Sequence, residues 1–84
     1  MKLNNKCKLE KNDVEDEYLL SFENNIIIIN ESAGIILDYI SNQSASRHDL
    51  FLYLKGIYDI TEENMIEVDN IINEFKTKNI IIED

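Results

Sequence analysis

The stretch Asn25–Asn30 reads Asn-Ile-Ile-Ile-Ile-Asn, and a helical pattern begins directly after it. A short run of β-branched residues between turn-forming residues is typical of a strand rather than of a helix. Alternation along a strand directs Ile27 and Ile29 to one face and Ile26 and Ile28 to the other. Both faces therefore need an apolar neighbour, and only one of them can be covered by the domain's own helices.

Length and charge restrict the classes of function. The chain has 84 residues, enough for one small domain, and carries 17 acidic against 8 basic residues for a net charge of −9. Such a charge disfavours contact with phosphate backbones and favours cationic or amphipathic partners. A single cysteine, Cys7, cannot form an internal disulfide. No apolar run reaches the length of a signal peptide or membrane span, so we expect a cytoplasmic protein without a membrane or nucleic-acid partner.

Two further strands are predicted before the isoleucine stretch. Residues 6–10 alternate polar and apolar side chains, and residues 17–22 are rich in aromatic and aliphatic ones. Residues 23–25 (Glu-Asn-Asn) separate the second predicted strand from the third. Asparagine tolerates the positive φ of hairpin turns, so Asn24 and Asn25 can replace the usual Asn-Gly pair. The second and third predicted strands should form a hairpin.

Three helical patterns follow the strands, each with an apolar stripe at i, i+3, i+4 and i+7 spacing. Asn30 or Ser32 can cap the first helix, Ser46 the second and Thr61 the third. Asn79 can close the third helix in a left-handed conformation. The stripes consist of Ala33, Ile36, Leu37 and Ile40; of Leu50, Tyr53, Leu54 and Ile57; and of Met65, Val68, Ile71, Ile72 and Phe75.

The predicted fold class is therefore α+β, with a three-stranded antiparallel sheet followed by three helices in a single domain spanning residues 1–84. The apolar tail at residues 80–82 is expected to pair with the sheet or to cover part of it. The third strand carries no lysine, proline or inward charge that would protect its edge. Its unpaired N–H and C=O groups should invite another strand.

The residue types needed for catalysis or metal binding are not brought together by any recognisable motif. Cys7 and His48 are far apart in the sequence, and the acidic run at residues 15–17 is interpreted as a solvated face. Gly34 and Gly56 lie inside helical patterns, so no glycine-rich phosphate loop exists. We therefore predict no catalytic residue, no metal and no cofactor.

The third predicted helix carries a second candidate surface besides the open strand. Ile66, Asp69 and Asn73 share a flank at i, i+3 and i+7 spacing, and Met65 lies between them and the core stripe. An exposed isoleucine on a surface helix is common and can be without function. Beside an open strand, however, this flank would form the wall of a groove that suits an extended peptide.

The order and spacing of these features resemble the PqqD-like family of RiPP recognition elements, which bind leader peptides of ribosomally made, post-translationally modified peptides (RiPPs). The resemblance covers about residues 18 to 82. Its pieces are Ile29-Asn30, Glu31-Ser32-Ala33, Ile36, Leu37, the break near Asn42, Asp49-Leu50, Leu54, Tyr58-Asp59-Ile60, Val68, Ile71-Ile72, Phe75 and Asn79-Ile80-Ile81.

The resemblance implies a winged-helix-like fold in which a leader peptide adds antiparallel to the third strand and lies between that strand and the third helix. Asn42 and Asn79 stand where the family usually has glycine, which asparagine can replace in a left-handed conformation. Glu67 stands where the family often has Asp. The matching peptide-binding positions are Ile26, Ile27, Ile28 and Ile29 on the strand and Met65, Ile66, Asp69, Ile72 and Asn73 on the helix.

The predicted function is a non-catalytic adaptor that presents a precursor's leader peptide to a modifying enzyme or leader protease. One alternative is a winged-helix DNA-binding regulator, although the third helix is mainly acidic. Another is a homodimeric interaction module in which the open strands of two copies pair.

Overall fold

The computed structural model describes residues 1–13 and 16–83, and within them the chain forms a three-stranded antiparallel sheet followed by three helices, plus a small two-stranded sheet. The predicted α+β class is confirmed. Glu15, in the acidic run noted above, lies outside the described residues. The elements are β1 (Lys2–Leu3), β2 (Lys8–Asn12), β3 (Glu17–Phe22), β4 (Asn25–Asn30), α1 (Glu31–Asn42), α2 (Arg47–Ile57), α3 (Asn64–Thr77) and β5 (Ile81–Ile82).

The larger sheet has the order β2-β3-β4, and the isoleucine stretch is its last strand. β3 and β4 form the predicted hairpin, with Leu19 opposite Ile28. Its two-residue turn consists of Glu23 and Asn24, whose φ angles are 50° and 66°. The predicted turn at Asn24 and Asn25 is thus displaced by one residue, because positive φ at both loop positions matches the strand twist.

The small sheet was not expected from the sequence. β5 pairs antiparallel with β1, with Leu3 opposite Ile81, rather than with the three-stranded sheet. The apolar tail is therefore held by the N-terminal segment. The predicted first strand also begins later than expected, since β2 spans Lys8–Asn12.

The helix starts follow from side-chain capping at two of three positions. Asn30 caps α1 by accepting a hydrogen bond from the Ala33 N–H at 2.9 Å. Ser46 caps α2 as predicted, in a capping box with Asp49. The prediction that Thr61 caps α3 is wrong, because that helix begins only at Asn64.

The two asparagines that stand in place of glycine differ in backbone conformation. Asn79 has φ 63° after α3, as expected for a left-handed closing residue. Asn42 remains inside α1, whose C-cap Gln43 is extended with φ −163°. The predicted left-handed conformation of Asn42 is therefore wrong.

Helix α1 lies across the inner face of the larger sheet and connects it to the other helices. The ring of Tyr18 on β3 packs against Gly34 of α1. On the other side of α1, Tyr39 stacks on Tyr53 of α2 with ring centroids 4.1 Å apart. The fully buried side chains of the core are Leu20, Ile36, Leu37, Ile40, Leu50, Met65, Ile80 and Ile81.

Candidate functional site

The hairpin turn decides which backbone groups of β4 are free. Beside a two-residue loop, the flanking residues form a hydrogen-bonded pair, and such pairs then alternate along an antiparallel ladder. Asn25 directly follows the loop, so the N–H and C=O of Ile27 and Ile29 also point towards β3. Those of Ile26 and Ile28 point away from it. In the part of the chain that the structure describes, no strand pairs with this outward edge.

The isoleucine side chains divide between the two faces as the alternation predicts. Ile29 is buried with 6% of its surface exposed, and Ile27 on the same face is 37% exposed. Ile26 and Ile28 on the outer face are 72% and 65% exposed. The half-buried Leu19 lies opposite Ile28 and extends this outer apolar surface onto β3. An edge strand with exposed aliphatic side chains and free backbone groups is a template for strand addition.

A cleft of about 320 Å³ lies between the three helices, and Ser32 in the first turn of α1 is one of its lining residues. We call it the α1–α3 cleft. Its mouth includes Ser32, two residues beyond the end of β4, and its walls come from all three helices and from the link between α2 and α3. The other lining residues are Ile36, Leu54, Tyr58, Asp59, Ile60, Asn64, Glu67, Val68 and Ile71.

Two carboxylates line this cleft, and a third belongs to the residue before Ser32. Asp59 and Glu67 line it, and Glu31 is the residue immediately before Ser32. Burial raises the pKa of the Tyr58 hydroxyl, and the nearby Glu31 charge raises it further. Among the described residues, no cation forms an ion pair with these three carboxylates. The cleft therefore combines apolar walls with uncompensated negative charge.

Two of the α3 residues predicted to bind a peptide belong to the core. Met65 has no exposed surface and Ile72 is 4% exposed. A ligand cannot touch Met65 without displacing its neighbours. These two side chains hold α3 in place from inside the domain.

The remaining three predicted α3 residues do not line the α1–α3 cleft. Asp69 accepts two hydrogen bonds from the Arg47 guanidinium, at 2.8 and 3.0 Å. Asn73 lies on the same side of α3 as Asp69, and the Ile66 side chain is 62% exposed. Asp69, Ile72 and Asn73 instead border a separate cavity of about 540 Å³, lined also by Met1, Ser46, Arg47, Lys76 and Glu83.

The α3 residues that do line the cleft were not predicted as a site. Val68 and Ile71 were assigned to the core stripe, yet both remain half-buried. Asn64 and Glu67 lie on the same flank, at i, i+3, i+4 and i+7 spacing with them. The sequence signal that could have identified this flank is the pair Asn64 and Glu67, which extends the apolar stripe of α3 on the side of Val68 and Ile71. Which flank faces the sheet depends on how α3 packs, and periodicity does not contain that information.

The described residues contain no group of three or more His, Cys, Asp or Glu side chains that could hold a metal ion. His48 is exposed on α2. Cys7 is half-buried, and its pKa is raised by burial and by the Glu23 charge, which disfavours the reactive thiolate. None of the described helices combines the length and apolar character that a bilayer span requires.

Comparison of the chain with family models, curated proteins and solved structures finds no match.

Proposed function

We propose that this chain is a non-catalytic adaptor of the PqqD-like type, which binds the leader of a ribosomally synthesised precursor peptide in the cytoplasm. The leader adds as a further strand to β4, and the domain presents the rest of the precursor to a modifying enzyme or a leader protease. Tethering of this kind raises the local concentration of the substrate at the enzyme without requiring chemistry from the adaptor.

The observation that carries the proposal is the outward edge of β4. Ile26 and Ile28 direct their backbone groups away from β3 and expose their side chains on the outer face. Natural edge strands are usually protected by lysine, proline, a bulge or a covering element. β4 has none of these among the described residues. An extended guest would satisfy these backbone groups and cover the isoleucines.

The α1–α3 cleft supports the same proposal. Its lining includes Ser32, two residues beyond the end of β4, and Val68 and Ile71, which provide apolar surface for a side chain of the guest. On the helix, the proposed site therefore consists of these two residues, because Met65 and Ile72 are buried and Ile66, Asp69 and Asn73 do not line the cleft. The site is small, so we expect a dissociation constant on the order of micromolar.

DNA binding is a less favourable function for this surface. A recognition helix needs exposed Arg and Lys to approach phosphates. On and before α3, Glu62, Glu63, Glu67 and Glu74 are exposed, whereas the basic side chains of the helix are at its C-terminal end. The electrostatic energy of placing this face in a DNA groove would be repulsive.

Pairing between two copies through β4 is a second candidate, favoured by the outward backbone groups and exposed side chains of Ile26 and Ile28. A two-fold axis through Ile27 would place Ile26 of one copy opposite Ile28 of the other, with both residues directing their backbone groups across the interface. The same edge cannot bind a leader and a second copy together. Light scattering across a concentration series, with and without peptide, distinguishes the two functions.

Proline at position 28 tests the proposed function. Ile28→Pro removes an N–H that points away from β3, so the hairpin ladder keeps its hydrogen bonds. Ile28→Thr is the matched control, since it removes the same aliphatic side chain but keeps the N–H and the β-branch. Binding is measured by fluorescence anisotropy with a labelled leader peptide from a precursor encoded beside this gene.

We expect Ile28→Pro to weaken binding by at least about tenfold and Ile28→Thr to weaken it much less. Circular dichroism and thermal unfolding of both variants establish that the fold is retained. Equal affinity of the proline variant and the unmodified protein would contradict strand addition to β4.

A further inference from the structure

The two ends of β4 differ in charge and in shape. The Asn30 end leads into the α1–α3 cleft, whose apolar walls are accompanied by the unpaired carboxylates of Glu31, Asp59 and Glu67. The Asn25 end borders a shallow depression on the sheet, whose charged residues are Lys6, Lys8 of β2 and Glu23 of the hairpin turn. A guest strand therefore meets different chemistry at its two ends.

Among the residues that line these two sites, lysines occur only at the second. Lys6 and Lys8 line the depression that also contains Asn25 and Ile26. Lys8 forms an ion pair with Glu10 at 3.4 Å, and both side chains are largely exposed. No lysine or arginine lines the α1–α3 cleft. A cationic residue of the guest is thus attracted more strongly to the Asn30 end than to the Asn25 end, where Glu23 and the Glu10 partner of Lys8 offset the two lysines.

Resting on the proposed function, in which the guest runs antiparallel to β4, we propose that this asymmetry selects the order of residues in the guest peptide. The guest carries an apolar anchor with an adjacent Lys or Arg at its N-terminal end, followed by a neutral β-forming segment. The anchor enters the α1–α3 cleft, the cation lies near Asp59 and Glu67, and the β-forming segment pairs antiparallel with Ile26 and Ile28.

The direction follows from the geometry of the pairing. β4 runs from Asn25 to Asn30, so the N-terminal end of an antiparallel guest lies beside Asn30, next to the cleft. A parallel guest would bring its C-terminal end there instead. Antiparallel pairing is slightly more stable per residue, and the charge difference along the strand adds to this preference when the basic residues precede the β-forming segment.

Two synthetic peptides of identical composition test the inference. In the first, Lys-Phe-Lys precedes Thr-Val-Thr-Val-Thr; in the second, the same block follows it. Both are acetylated and amidated so that terminal charges do not contribute, and binding is measured by isothermal titration calorimetry, because a dye would have to be attached to a lysine. Their affinities for the whole chain are measured at low and at high salt, because exposed charge pairs weaken with screening.

Charge variants of the protein separate the cleft from the rest of α3. Asp59→Asn combined with Glu67→Gln removes two carboxylates from the cleft. Glu62→Gln combined with Asp69→Asn is the matched control, since it removes two carboxylates that pair with Arg47 outside the cleft. The Ile28→Pro variant reports whether each peptide uses the strand.

We expect the first peptide to bind about tenfold more tightly than the second at low salt. This preference should be lost in the Asp59/Glu67 variant, retained in the Glu62/Asp69 variant and reduced by salt. Equal affinities, or tighter binding of the second peptide, would overturn the inference about residue order. If Ile28→Pro still weakens binding of the peptides, strand addition to β4 remains supported. If neither peptide binds, or if Ile28→Pro changes neither affinity, the inference fails, and the test of Ile28→Pro with the leader peptide decides separately whether the proposed function fails with it.

Discussion

The ring of Tyr18 on β3 occupies the space that any side chain at Gly34 of α1 would need. Tyr18 is 7% exposed and cannot swing into solvent without opening the core. The absence of a Cβ at Gly34 therefore sets how closely α1 approaches the sheet. Since α1 follows β4 directly, this contact also positions the end of the candidate site.

Gly34→Ala should destabilise the domain. The gain in helix propensity of about 1 kcal/mol is smaller than the cost of displacing an aromatic ring in a packed core, so we expect a net loss of about 1–3 kcal/mol. Gly56→Ala is the control, because nothing lies within 4 Å of a Cβ at that position of α2. It should leave stability unchanged or raise it by up to about 1 kcal/mol. Urea unfolding of both variants makes the comparison, and similar effects would contradict the proposed contact.

Glu23→Asn should stabilise the β3–β4 hairpin. Glu23 has φ 50°, a conformation that asparagine adopts more readily than glutamate. We expect a gain of about 0.5–1 kcal/mol in the free energy of unfolding. Asn24→Ala is the opposite test, because it puts a side chain without local hydrogen bonding at φ 66° and should lower stability by a similar amount. A loss of stability in Glu23→Asn would indicate that the turn does not have this conformation in solution.

The capping box of α2 should make stability depend on pH through Asp49. Hydrogen bonds from the Ser46 N–H and, secondarily, from its hydroxyl lower the pKa of the Asp49 carboxyl. A lowered folded-state pKa means that the contribution to stability is present above the ordinary aspartate pKa of about 4 and is lost as the pH falls through the lower, folded value. Asp49→Asn removes this charge-dependent contribution.

The thermal unfolding midpoints of the unmodified protein and of Asp49→Asn should therefore differ most at neutral pH. The difference should shrink as the pH falls below about 4. Ser46→Ala removes the hydroxyl that contributes to the lowered pKa of the Asp49 carboxyl, so it should reduce the difference as well. A difference that stays constant over the whole pH range would contradict a role for the ionised Asp49 carboxylate.

Charge removal on the two flanks of α3 should have opposite consequences for stability and binding. Asp69→Asn breaks the two-bond pair with Arg47 and should lower the thermal midpoint slightly, without changing affinity for a leader peptide. Glu67→Gln removes an unpaired carboxylate of the cleft, so it should leave the midpoint unchanged and weaken binding of a cationic leader a few-fold. Differential scanning fluorimetry and anisotropy provide the two measurements. If Asp69→Asn weakens binding and Glu67→Gln does not, the peptide binds instead to the flank of Asp69 that was predicted from the sequence.

Local patterns accounted for most of the elements but not for their exact ends. The bounds of β3 and β4, the Ser46 cap and the left-handed Asn79 follow from alternation and from short-range hydrogen bonding. Thr61 did not become the cap of α3, because the Asn64 side chain accepts hydrogen bonds from the Thr61 N–H and hydroxyl and the helix begins later. Competing local hydrogen bonds of similar energy make such ends difficult to predict.

The candidate site could be predicted only in part. The four isoleucines of β4 indicate both the strand and its edge, since alternation assigns each side chain to a face. The helix side could not be assigned in the same way. Periodicity gives the apolar stripe of α3 but does not distinguish its two flanks, and the flank containing Asp69 is turned towards Arg47 of α2.

By itself, the sequence determined the α+β class, the order of strands and helices and the apolar edge at Asn25–Asn30, because each depends on residues that are neighbours in the chain. Only the tertiary structure decided that β5 pairs with β1, that the ring of Tyr18 packs on Gly34 and that Val68 and Ile71 rather than Asp69 line the cleft. These contacts join residues distant in sequence. Their energies depend on packing in three dimensions, which local periodicity does not encode.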